Sequence, residues 1–76
     1  MNDKRRKTLA RAEELLNTAL NLVTNVMDEE QDSRDNLPES LEDSNRAIKM
    51  EEAISALEDA VTQIEEALDS IGKASV

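Results

Sequence analysis

The sequence contains no cysteine, no histidine and no aromatic residue, with a single proline and a single glycine in 76 residues. Each absence removes a class of chemistry. Without cysteine there is no disulfide scaffold, and without cysteine and histidine there is no Cys/His zinc site. The lack of histidine also excludes Ser-His-Asp and Cys-His nucleophile arrangements. With no aromatic ring there is no platform on which nucleic-acid bases could stack. No apolar run approaches the roughly 18 residues of a membrane span, and no signal-peptide apolar region is present. The expectation is a soluble, cytoplasmic chain without membrane association. Its length suits one small domain.

What remains is acidic and helix-forming. Eighteen Asp and Glu face nine Lys and Arg, a net charge of -9. Pro38 and Gly72 are the only strong breakers, so the residues around Pro38 divide two long segments rich in helix formers. The division predicts helix 1 over about 3–34, a bent connector over about 35–43 and helix 2 over about 45–72. Within the connector, Asn36-Leu37-Pro38-Glu39 reads as a capping Asn three residues before a Glu, with Pro in a tolerant first turn. Ser44 reads as the N-cap of helix 2, with Asp43 as the alternative.

Helix 2 carries the cleaner periodicity. Met50, Ile54, Leu57, Val61, Ile64, Leu68 and Ile71 alternate at spacings of four and three, a sustained heptad pattern. Ala53, Ala60, Ala67 and Ala74 widen the stripe on one flank, enough to face more than one neighbouring helix. In helix 1, Leu9, Leu16 and Val23 recur every seven residues, as do Ala12, Ala19 and Val26. Leu15 and Leu22 broaden one side and Leu20 and Met27 the other. The stretch Leu15–Met27 is thus apolar around most of its circumference, more than a lone hairpin can bury. Self-association is the expected resolution, since so short a chain without metal or disulfide has a thin core. The fold class expected is an all-α antiparallel two-helix hairpin, joined with further copies into a homo-oligomeric, four-helix-type bundle. Leu16, Leu20, Val23, Met27, Ile54, Leu57, Val61, Ile64 and Leu68 are the expected oligomer core.

Charge placement supports the antiparallel arrangement. Residues 1–12 hold Lys4, Arg5, Arg6, Lys7 and Arg11 against one acid, a local charge of +4 that leaves -13 on the remainder. Folding back sets this basic start beside Glu65, Glu66 and Asp69. Each such exposed pair is weak, so charge selects register more than it stabilises.

Little points to catalysis. The acids at Asp28, Glu29, Glu30, Asp32 and Asp35 lack the glycine-containing calcium loop, and di-iron bundles require histidine. No metal and no cofactor are therefore expected. Glu30, at the heptad position of Leu9, Leu16 and Val23, reads as the point where the apolar seam meets solvent. Without pocket-forming loops, an enzyme is not expected. The overall negative charge disfavours direct nucleic-acid binding. Arg5 and Arg6 serve either as partners for helix 2 or, brought together in several copies, as a small-anion site. Arg46, beside the Ser44 cap at a helix N-terminus, is a second candidate anion contact, with a surface pair to Glu42 or Glu39 as its structural alternative.

The stretch Glu29–Asp59, with its Asn36-Leu37-Pro38-Glu39-Ser40-Leu41 turn followed by Ser44 and Arg46, resembles small uncharacterised helical-hairpin proteins of phages and related mobile elements. The aromatic residue that follows the Arg there is replaced by Ala47 and Ile48. The resemblance implies a non-enzymatic binding protein acting in the host cytoplasm as a counter-defence factor. Such a protein would sequester a nucleotide-type immune signal or block a host immune protein. Arg5, Arg6, Asn36, Ser44 and Arg46 are then the candidate ligand contacts. The alternatives are a ligand-free homodimerisation module or an acidic mimic of nucleic acid.

Overall fold

The computed structural model describes residues 1–76 and consists of two long helices joined by a short bent connector. Helix α1 runs Asp3–Asp35 and α2 runs Asn45–Ala74, with a single 3-10 turn at Glu39–Leu41 between them. At 1.5 Å per residue, their 33 and 30 residues span about 50 and 45 Å. The body measures 59 × 15 × 12 Å. The helices lie antiparallel, and the Met1 ammonium sits 3.5 Å from the Val76 carbonyl oxygen at the open end. The expected all-α hairpin is the observed fold.

Each boundary has a local cause. At the start of α1, Asn2 is in an extended conformation and its Oδ1 accepts the Arg5 backbone N–H at 2.8 Å. At its end, Asn36 is the C-cap of α1 and not a cap for the connector turn. Its N–H donates to the Asp32 carbonyl, the Leu37 N–H donates to Arg34, and the Asn36 side chain makes no hydrogen bond. Pro38 accounts for this difference, because the residue before a proline is driven out of the helical region and α1 must stop just upstream. Pro38 itself precedes the 3-10 turn, which has no side-chain cap.

Ser44 caps α2 as expected. Its Oγ accepts the Ala47 N–H at 3.3 Å and donates to the Leu41 carbonyl at 2.6 Å, tying the cap to the preceding turn. Gly72 does not end α2. The helix continues to Ala74 with Ser75 as C-cap, and Gly72 does not adopt a positive φ.

The seam between the helices is narrow. Only Ala47 and Ile54 are buried. Met50, Leu57, Val61, Ile64, Leu68 and Ile71 of α2 are half-buried, as are Leu9, Leu16, Leu20, Val23 and Met27 of α1. Of the alanine flank, Ala60 and Ala67 are half-buried while Ala53 and Ala74 are exposed.

On α1 the expected repeat Ala12, Ala19, Val26 does not hold to its end. Val26 is exposed and Met27 faces inward instead. The positions that stay in the seam are the seven-residue repeats of Leu9, Leu16 and Val23 and of Leu20 and Met27, and Val26 lies on their outer side. The same two repeats carry the seam past Glu30, which is half-buried, to half-buried Arg34 and Leu37. The contact face therefore does not stop at Glu30; it turns polar there.

Candidate functional site

Three surfaces carry the chemistry of this chain. The first is the basic open end of α1. Arg5 and Arg6 are adjacent in sequence and so point about 100° apart. Arg6 is engaged by Asp3, with Nη1 2.9 Å from Oδ1. Arg5 makes no ion pair, and with Asn2, Lys4 and Thr8 it lines a shallow cleft floored by Met1 and Leu9. The expected pairing of this basic start with Glu65, Glu66 and Asp69 is not formed: Arg11 bonds Glu14 within α1, and Asp69 bonds Lys73 within α2. Local partners three or four residues away hold these long side chains at a smaller entropic cost than partners across the seam.

The second surface is the connector end. Arg46 lies in the first turn of α2, exposed and without an ion pair, so neither Glu42 nor Glu39 takes its guanidinium. Asn36 and Ser44 belong to the same end, Ser44 with its hydroxyl committed to two backbone partners. In a body 59 Å long, Arg46 stands at the opposite end from Arg5 and Arg6. One hairpin does not bring the five candidate ligand contacts together.

Beside the connector lies a contact that the sequence reading did not single out. Arg34 reaches across the seam to Glu51, its Nε and Nη2 donating to Oε1 at 3.0 and 2.8 Å. Arg34 is seven residues beyond Met27 on the inward flank, and that spacing was the available signal. With Gln31, Asp35, Ser55 and Glu58 this pair lines an open polar cleft. No group of acids converges on a metal-binding geometry, and no buried side-chain polar atom lacks a partner.

The third surface is apolar. Leu15, Leu22 and Val26 are 55%, 62% and 52% exposed, at spacings of seven and four along one outer face of α1. On α2 only Ile48 is comparably large and exposed. The surplus apolar area thus lies on α1, whereas the nine residues expected as oligomer core line the seam within the hairpin itself.

No helix is long and apolar enough to cross a membrane. Compared with family models, curated proteins and solved structures, the chain matches none.

Proposed function

We propose that this chain is a non-enzymatic binding module whose working form is a homo-oligomer of hairpins, with a dimer as the smallest unit. The observation that carries this reading is the imbalance between surface and core. The hairpin exposes 5642 Å², against about 4,700 Å² for a folded chain of its mass. Its radius of gyration is 17.3 Å, against about 11 Å for a folded domain of this length. Two buried residues are a meagre core for 76. An excess of roughly 1,000 Å² is about what one partner contributes to a standard interface, and the exposed Leu15–Leu22–Val26 stripe supplies apolar surface for it. Light scattering across a concentration series tests this reading. A dimer or larger species at micromolar concentration is expected, and a fully helical monomer throughout would overturn it.

What the assembly binds follows from its unpaired charges. Lys4, Arg5 and Arg46 make no ion pair within the hairpin, and assembly multiplies such groups, which favours a compact anionic ligand of nucleotide type. In that role the protein would sequester the ligand without transforming it, in keeping with a counter-defence function. Titration calorimetry with cyclic and ADP-ribose-type nucleotides tests this assignment. Binding that is lost in Arg46→Glu without a change in melting temperature supports it, and wild-type failure to bind any of them rejects it. In that event the acidic outer face of α2 (Glu65, Glu66 and Asp69) remains as a surface for a basic host protein, and the ligand-free dimerisation module becomes the better description.

A further inference from the structure

The exposed face of α1 continues beyond its three apolar residues in both directions, and its ends are oppositely charged. Toward the N-terminus the same face carries Arg11, Thr8 and Lys4; toward the C-terminus it carries Glu29 and Ser33, flanked by Asp32. The helix is thereby polarised. Residues 1–12 carry a local charge of +4, and residues 28–35 hold five acids against Arg34. Most of these groups have no ionic partner within the hairpin. Lys4, Arg5 and Lys7 make no ion pair, nor do Asp28, Glu29, Glu30, Asp32 and Asp35. Arg11 has only Glu14, and both of those side chains are about two-thirds exposed.

We infer that this face is the contact between two copies and that the copies pair antiparallel, α1 against α1, about a two-fold axis near Leu20. This rests on the self-association proposed above and specifies its surface and direction. An isologous contact requires a patch complementary to itself, and a face that reads basic, apolar, acidic is complementary to its own reverse. In that register Arg11 meets the partner subunit's Glu29, Leu15 meets the partner subunit's Asn25, and Thr18 meets the partner subunit's Leu22. Each a-type position then faces a d-type position along the whole contact. A parallel pairing would set Arg11 against Arg11 and Glu29 against Glu29, which costs stability at both ends. The outer face of α2 offers no rival: Glu52, Ser55, Asp59 and Thr62 follow Ile48 there, all exposed.

The chain has no cysteine, so introduced thiols report proximity without background. Arg11→Cys protein is mixed with Glu29→Cys protein under mild oxidation. Antiparallel pairing yields the mixed 11–29 disulfide in preference to either homodimeric product; preferential 11–11 and 29–29 products would overturn the inference. In parallel, Leu22→Glu should convert the oligomer to monomer at micromolar concentration while leaving the chain helical. Arg11→Glu should weaken association roughly tenfold, and adding Glu29→Arg to it should restore wild-type affinity to within about twofold. Because the charge swap alters only exposed residues, it still reads out if Leu22→Glu fails to fold. A wild-type oligomer insensitive to both Leu22→Glu and the charge reversal would place the interface elsewhere and leave self-association standing. A monomeric wild type would remove both.

Discussion

Arg34 and Glu51 form the one ion pair that ties α1 to α2: both guanidinium donors, at 3.0 and 2.8 Å, converge on a single carboxylate oxygen. The pair sits at the connector end, where the seam has become polar. Ile54, one helical turn beyond Glu51 toward the open end, is one of only two buried residues. The bond therefore closes the end of the apolar contact and fixes the register in which the chain turns back. Arg34 retains 21% of its side-chain exposure and Glu51 retains 56%, so solvent screens the interaction.

Glu51→Gln should accordingly cost little, about 0.5–1 kcal/mol. The loss should shrink as salt is raised, because the wild-type pair weakens toward the variant. Urea melts of both proteins at low and high ionic strength measure it. A salt-independent difference would assign Glu51 a packing role.

The two caps proposed from the sequence should now separate. Ser44→Ala removes both the acceptor for the Ala47 N–H and the donor to the Leu41 carbonyl. It should lower stability by about 1 kcal/mol, within the usual range for helix N-caps. Asn36→Ala removes no side-chain hydrogen bond and should change stability by no more than about 0.5 kcal/mol. Equal losses in chemical melts would show that the Asn36 amide is engaged after all.

Leu20 and Leu22 should respond differently to the same replacement. Leu20 is half-buried on the inward flank of α1, whereas Leu22 points outward. Leu20→Glu should unfold much of the hairpin, because it sets a charge against the apolar seam. Leu22→Glu should leave helicity largely intact. Circular dichroism at matched concentration separates them, and equal loss of helix in both variants would mean that the hairpin folds only as it assembles.

Ile54→Ala deletes the largest buried side chain and should cost about 2 kcal/mol, the low end for core truncations because the seam is open to water on both sides. In a protein whose core is two residues, that loss should move the thermal midpoint by several degrees. Since an oligomer's midpoint depends on concentration, the comparison is made at several concentrations. A midpoint that does not rise with concentration would argue against assembly.

Much of the architecture was legible in the residues themselves. Helix formers on either side of Pro38 dictate two long helices, because a lone proline is the only feature strong enough to interrupt them. The 4-3 spacing from Met50 to Ile71 determines which side of α2 is covered, and Ser44 marks where that helix starts. Where a proline or a capping hydroxyl decides, as at Pro38 and Ser44, the sequence contains the answer.

The facing of α1 is different in kind. Its apolar residues surround the helix between Leu15 and Met27, so periodicity alone did not say which would meet α2 and which would remain outside. That choice came with packing against α2, which covers Leu20, Met27 and Arg34 and leaves Leu15, Leu22 and Val26 outside. It also made Arg34 a cross-helix ligand for Glu51, seventeen residues away. The same holds for the basic cluster, which meets no acid of α2: Arg6 and Arg11 take Asp3 and Glu14 within α1, and Lys4, Arg5 and Lys7 make no ion pair. Local propensity and spacing set the elements, their length and the covered side of α2, whereas the angular position of the contact face on α1 is a property of two helices in contact, and only the tertiary structure decided it.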